Sequence, residues 1–146
     1  MLRRRLELKA PTGMQTSKLY CLATVHRRDL ASLRDLRTEH LPLLCNVLHK
    51  GLQAIQSRFG VSENEILVFL HYLPSYYHLH MHFVHADAEP THGMQAGKAH
   101  MLTDVISAIE VSGDYYSRAT LACAMGQNDP LYAKLVGKGV KRDRSA

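Results

Sequence analysis

His71-Tyr-Leu-Pro-Ser-Tyr-Tyr-His-Leu-His-Met-His-Phe-Val84 is the stretch whose reading decides the fold. Within it His78, His80 and His82 alternate with Leu79, Met81 and Phe83. Strict period-two alternation predicts a β-strand with one polar and one apolar face. Leu79, Met81 and Phe83 can enter a core, and the opposite face then carries three imidazoles in a row. Imidazole is the side chain whose unperturbed pKa lies between pH 5 and 8. Burying a row of three costs free energy unless the rings find partners, so the row calls for a chemical reason.

The preceding run, residues 65–73, reads as a second strand ended by Pro74. With the histidine strand placed over 77–85, Pro74-Ser75-Tyr76 becomes a tight connection and the two strands pair antiparallel. Upstream, residues 18–25 (Lys-Leu-Tyr-Cys-Leu-Ala-Thr-Val) are rich in strand formers and read as a mostly buried strand. Over 38–59, Leu41, Leu44, Cys45, Leu48, Leu52, Ile55 and Phe59 recur at steps of three and four, the signature of a helix with one apolar face. Thr38 is its expected N-cap, Pro42 is tolerable near the start, and Gly60 is its stop.

Beyond the histidines, Asp87, Pro90, Gly93 and Gly97 mark an exposed loop over 86–97. Residues 98–110 read as a helix with Met101, Val105, Ile106 and Ile109 facing inward, and 118–125 as a further strand. Asp129-Pro130 opens a short final helix, with Asp129 as N-cap and Pro130 at the first helical position. The expected architecture is α+β, a mainly antiparallel sheet with two main helices and a short C-terminal helix. The domain boundaries follow as an N-terminal arm over 1–17, a folded domain over 18–137 and a basic tail over 138–146.

A chain of 146 residues suits one domain, and a domain of this size buries roughly 68–70% of its unfolded surface without a disulfide or metal staple. Cys21, Cys45 and Cys123 are odd in number, widely spaced and contain no C-x-x-C pair, which favours a reducing compartment, cytoplasm or nucleus. No apolar run reaches the length of a membrane helix, and the N-terminus lacks the apolar core of a secretory signal. The formal charge of +5 sits largely at the two ends and favours anionic ligands such as nucleotides or RNA, against the plainer reading of two solvated tails.

Neighbouring histidines on one strand face stand roughly 6.6 Å apart, too far for direct ring-to-ring hydrogen bonds. The spacing suits three rings along an elongated anion, with a neutral central imidazole attacking phosphorus and its neighbours holding phosphate oxygens. It also suits Zn²⁺, which His-x-His pairs reach at about 2.0–2.1 Å. A polar surface with no chemistry is the third reading, and spacing alone leaves all three open. His71 can join the site across the turn, where Ser75 and Tyr76 add hydroxyls; singly, Ser75 reads as turn chemistry and Tyr76 as packing. His85 falls off the face of the row by parity, and it, His92 and His100 read as solvated. His26, His40 and His49 show no partner in the sequence.

The run His78-Leu-His-Met-His-Phe-Val84 resembles the histidine-triad pattern. Extended back to His71, it is similar to the signature of the scavenger mRNA decapping branch of that superfamily. His26-Arg-Arg-Asp-Leu-Ala-Ser-Leu-Arg-Asp35, Glu39-His-Leu-Pro-Leu-Leu44, and Arg118-Ala-Thr-Leu121 followed by Asp129-Pro-Leu131 agree with it, so the resemblance covers about residues 19–136. It implies a histidine-triad fold working as a homodimer, with no metal or other cofactor and no membrane. The implied activity is hydrolysis of the triphosphate bridge of 7-methylguanosine cap dinucleotides or short capped RNA. It implies that His80 is the nucleophile, forming a nucleotidyl-histidine, that His78 orients it, that His82 contacts the phosphates, and that His71, Ser75 and Tyr76 hold the phosphate chain. The sequence departs from the branch in two places. Its longer members carry an N-terminal domain that closes over the cap, for which the segment ahead of the match leaves no room. They also stack the methylated base on a tryptophan, helped by an acidic residue and a lysine, and this chain has no Trp. Loss of such a stack removes about 2 kcal/mol of binding when desolvated. A histidine-triad hydrolase or phosphoramidase of wider range, and a nucleotide-binding paralogue of weak activity, are therefore the alternative expectations.

Overall fold

The computed structural model describes residues 15–136. The arm expected over 1–17 is described only from Gln15, and the tail expected over 138–146 lies outside the described residues. Four strands, β1 (Tyr20–Thr24), β2 (Ile66–His71), β3 (His80–His85) and β4 (Ala99–Met101), form one sheet in the order β1-β3-β2-β4. All neighbours run antiparallel, with Leu22 and Phe69 flanking His82 and Met101 flanking Phe69. Helix α1 (Leu41–Phe59) follows β1, and α2 (Leu102–Val111) follows β4 directly. The one-turn α3 (Tyr115–Arg118) and the short α4 (Pro130–Val136) complete the chain. This is the α+β architecture expected, with the antiparallel β2–β3 pair where the alternation puts it.

Residue chemistry sets the ends of α1. A 3-10 turn over Thr38–His40 leads into the helix, so Thr38 opens the turn and not the helix itself. The buried His40 ring accepts the Arg37 N–H through Nδ1 at 2.9 Å, a partner invisible in the sequence. Gly60 ends the helix at φ 69°, the left-handed conformation that glycine adopts without a Cβ penalty. Asp129 caps α4 as expected, accepting the Leu131 N–H at 2.8 Å. Ahead of α1, Ser32 and Asp35 close a capping box, and Asp35 also accepts the Ala31 N–H. Arg34 then ties this turn to the C-terminal half: its guanidinium donates to Tyr72 Oη at 3.0 Å and to the Tyr116 and Ala119 carbonyls at 2.8 and 2.6 Å.

The helices cover one sheet face. Met81 and Phe83 of β3, Cys21 and Ala23 of β1 and Val68 and Leu70 of β2 join Leu44 and Ile55 of α1 and Leu102, Val105 and Ile109 of α2 in one core. Burial of this apolar surface, at roughly 25 cal/mol per Å², is what holds helices and sheet together.

Four further expectations are corrected. Residues 118–125 do not form a strand: α3 holds Arg118, and the following segment, interrupted by Ala119, Ala122 and Ala124, meets no sheet edge. Alanine is a poor strand former, and one hydrogen bond from Ala124 N–H to the Gly97 carbonyl at 2.9 Å does not build a ladder. The helix expected from 98 begins at Leu102, because Ala99–Met101 is strand β4; Met101 stands opposite Phe69 on the sheet, not on the inward stripe of α2. The β2–β3 connection runs over residues 72–79 and is not a tight turn. Leu79 explains why β3 starts late: it bonds outside the hairpin, donating to the Leu30 carbonyl at 2.9 Å and accepting from Val25 N–H at 3.1 Å. His85 and His100 are not solvated, as described below.

Gly51 faces the sheet at the point of closest approach, where an added Cβ would overlap the Cζ end of the Phe83 ring. Phe83 is 1% exposed and has nowhere to move. Gly51→Ala is expected to lower stability by about 1–2 kcal/mol: an overpacking cost of about 1–3 kcal/mol outweighs the helix-propensity gain of up to about 1 kcal/mol. Urea denaturation monitored by circular dichroism measures it.

Candidate active site

The sheet face away from the helices carries the imidazoles. Strand parity puts His80, His82 and Val84 of β3 there, beside Tyr20, Leu22 and Thr24 of β1 and Leu67, Phe69 and His71 of β2. The same parity turns His85 to the helix-covered side, where it is 5% exposed, accepts the Asp87 N–H at 3.1 Å and lies 3.8 Å from Glu65. His100 also faces inward from β4, half-buried edge-on to Tyr72 and Tyr116, and burial lowers its pKa. His92 is exposed, as expected.

His82 sits deepest. It is only 6% exposed although it belongs to the polar set of the alternation, because side chains of the two flanking strands and of His80 close around its ring. Phe69, directly opposite on β2, stacks on it with centroids 5.2 Å apart and planes within 11°. His71 approaches to 4.0 Å between centroids, and His80 meets it edge-on at 5.1 Å. From β1, Tyr20 Oη is 2.7 Å from His82 Nδ1. Burial, reinforced by the fields of His71 and His80, pushes the pKa of His82 down to about 3. Burial likewise lowers that of His71, partly offset by the Gly93 backbone. Both rings are therefore neutral near pH 7.

His80 is held differently. Its Nδ1 lies 2.7 Å from the main-chain carbonyl of His78. A carbonyl can only accept, so Nδ1 of His80 carries a proton, and in the neutral ring the lone pair is on Nε2. The His78 ring turns elsewhere and donates from Nε2 to the Val25 carbonyl at 2.6 Å. His78 thus contributes its backbone, not its ring, to the orientation of His80.

The structure brings His71, His80 and His82 together and keeps the His78 ring apart. Ser75 and Tyr76 are exposed on the 72–79 loop, Tyr76 at 6.2 Å from His78 between ring centroids. No group of three or more His, Cys, Asp or Glu among the described residues is arranged to hold a metal ion.

Beside His71 and His82 opens a cavity of about 590 Å³, lined also by Lys18, Tyr20, Phe69, Glu89 and Met94. Its far wall is the 86–98 loop, and Gly93 lets that wall close: a Cβ there would stand 2.8 Å from His71 Nε2. Tyr20, Phe69 and Gly93 were not singled out by sequence reasoning. Parity along β1 and β2 is a signal that finds the first two; nothing local in the sequence marks Gly93 as a wall.

The depressed pKa of His82 makes stability depend on pH. In the unfolded chain the imidazole titrates near 6.5, so below that pH the unfolded state takes up a proton that the folded protein refuses. This contribution is complete above about pH 6.5 and is lost as the pH falls toward about 3. His82→Asn is expected to flatten the acid limb of a stability–pH profile by up to about 1.4 kcal/mol per pH unit, measured by urea melts at a series of pH values.

A family model described as "Scavenger mRNA decapping enzyme C-term binding" matches residues 8–97, beginning upstream of the first strand. Over 121 residues the chain is 48% identical to an m7GpppX diphosphatase from Bos taurus, covering 83% of this chain and 36% of that protein. It is 47% identical over 118 residues to the Homo sapiens m7GpppX diphosphatase, covering 80% and 34%. With the Ascaris suum protein of the same name it shares 40% over 124 residues, covering 84% and 40%. The chain thus spans about a third to two fifths of the length of these relatives. With the matched segment spanning the whole imidazole-bearing hairpin and the antiparallel α+β fold built around it, the chain belongs to the family of scavenger mRNA decapping enzyme C-terminal domains.

Proposed function

We propose that the chain hydrolyses the triphosphate bridge of 7-methylguanosine-capped dinucleotides or short capped RNA, through a covalent intermediate on His80. The observation that carries this reading is His80 Nδ1 at 2.7 Å from the His78 carbonyl, which directs the lone pair of the neutral ring to Nε2, beside His82. That lone pair attacks the phosphorus next to the methylated nucleoside. The P–N bond forms as the bridging P–O bond breaks, and a nucleoside diphosphate, or the RNA carrying it, leaves with the electron pair. Water then attacks the nucleotidyl-imidazole, releasing 7-methylguanosine monophosphate and restoring His80. In this scheme His82 and His71 hold phosphate oxygens. Ser75 and Tyr76 reach the phosphate chain from the exposed loop, and the His78 backbone orients the nucleophile. Positioning and charge stabilisation supply most of the rate. The relatives' shared name, m7GpppX diphosphatase, supports the substrate.

Association as a homodimer belongs to the same proposal. β1 and β4 are the sheet's two edges among the described residues, and an unpaired edge is a surface that a second copy can use. A nucleotide hydrolase of wider range, one that does not select the methylated base, is the second reading that the same His80 geometry allows.

Product chromatography with the methylated cap dinucleotide, its unmethylated counterpart and His80→Ala tests both readings. Cleavage of the methylated dinucleotide that falls about 10³-fold or more in His80→Ala is the expected result. Turnover retained in that variant overturns the nucleophile. Equal rates on the two dinucleotides establish the wider range.

A further inference from the structure

We propose that Tyr20 is a positioning residue that holds His82 in the tautomer carrying its proton on Nε2, so that β3 presents a lone pair from His80 and an N–H donor from His82 to the same phosphate. The inference rests on the function proposed above for its second half, and on geometry alone for its first.

Tyr20 Oη and His82 Nδ1 are 2.7 Å apart, and one of the two must donate. A phenol is a stronger acid than a neutral imidazole N–H, and an imidazole nitrogen is a stronger base than a phenol oxygen. The matched arrangement is therefore O–H donating to Nδ1, and the imidazole proton goes to Nε2. The His82 Nε2 atom is buried with no hydrogen-bond partner among the described residues. An N–H in that position costs about 1–3 kcal/mol while unpaired, a cost that a phosphate oxygen removes. His82 also lines the cavity of about 590 Å³, so a ligand can reach the neighbourhood of the ring.

The strand register makes this contact. Tyr20 is opposite Val84 and diagonal to His82 across the β1–β3 pair, a distance that only a long side chain bridges. Phe69 stacks on the His82 ring and His71 lies 4.0 Å away, so the ring cannot swing to a different partner. Burial raises the pKa of Tyr20 and lowers that of His82, which keeps a phenol donor facing a neutral acceptor across the working pH range. His80 is the mirror case: its proton is fixed on Nδ1 by a backbone carbonyl. Two rings two residues apart are thus set in opposite tautomers by two different partners.

Tyr20 is 48% exposed, so Tyr20→Phe removes one oxygen and leaves the fold and the ring packing in place. Long-range ¹H–¹⁵N NMR of the imidazole nitrogens in the full chain at pH 7.5, a value of about one unit above the free imidazole pKa, reads the tautomer directly. In the wild type His82 is expected to show a protonated Nε2 and a hydrogen-bonded, unprotonated Nδ1. In Tyr20→Phe the Nδ1 resonance is expected to lose its hydrogen-bond shift and the Nδ1–H form to gain population. Turnover of methylated cap dinucleotide by the variant should fall about tenfold or more in kcat with a smaller change in KM, as expected for a donor whose weight is felt at the transition state. A wild-type proton on Nδ1 of His82, imidazole shifts unmoved by Tyr20→Phe, or an unchanged kcat each overturns the proposal. If the wild type itself has no turnover, the proposed function fails, and the NMR comparison alone decides whether Tyr20 sets the tautomer.

Discussion

Everything on the functional face depends on the pairing of β3 between β1 and β2. The side-chain period of a strand is two, so a slip of one residue would turn His80 and His82 into the helix-covered core and bring Met81 and Phe83 out. The register is pinned from the core side. Phe83 lies fully buried against the backbone of α1 at Gly51, and Met81 is fully buried as well. Apolar packing on one face thus fixes the position of the imidazoles on the other, and the bulk of the fold's hydrophobic stabilisation enforces the geometry of a few polar atoms.

Much of this was legible in the sequence, and for one reason: periodicity survives wherever an element is long and has one dry face. The apolar stripe of α1, its stop at Gly60, the alternation of β3 and its antiparallel pairing with β2 all belong to that class. The cap at Asp129 was legible through local hydrogen-bond chemistry. Strand β4 was not, because three residues show no period and the helix that follows continues without a break. The extended reading of 118–125 failed on the opposite ground: the segment has no sheet edge to join, a fact of topology that no local pattern carries.

The site was legible in composition and less so in arrangement. Alternation correctly gave His80 and His82 one face, yet it could not show that Tyr20, Phe69 and His71 of the flanking strands close around His82, which buries it and drives its pKa down. It could not separate His78 from the row either. That residue precedes β3, because Leu79 takes its hydrogen bonds from Val25 and Leu30, and the ring is spent on a backbone carbonyl. His71, from the neighbouring strand, packs against His82 instead. The cluster of three rings exists, but one of its members is contributed by sheet pairing across Phe69 and His82, not by the strand that spells the motif.

The errors in β4 and in the cavity wall have a common origin. The segment after β3 folds back by one bond from Ala86 N–H to the Glu65 carbonyl and by local bonds from Met94 to Thr91 and from Lys98 and Ala99 to Gln95, and it ends in β4 paired to β2. That pairing brings residues 86–98 over the imidazole face, and there the glycines matter: Gly93 lies against His71, and Gly97 adopts φ 82°, which only a residue without Cβ takes readily. Read as an exposed loop running into a helix, the segment has no connection with the histidines. Read as a return to the sheet edge, it lines the cavity beside His71 and His82. A three-residue strand some twenty positions downstream thus returns the chain so that part of it lines the cavity beside His71 and His82, which joins the least legible element of the chain to the chemistry of its most legible one.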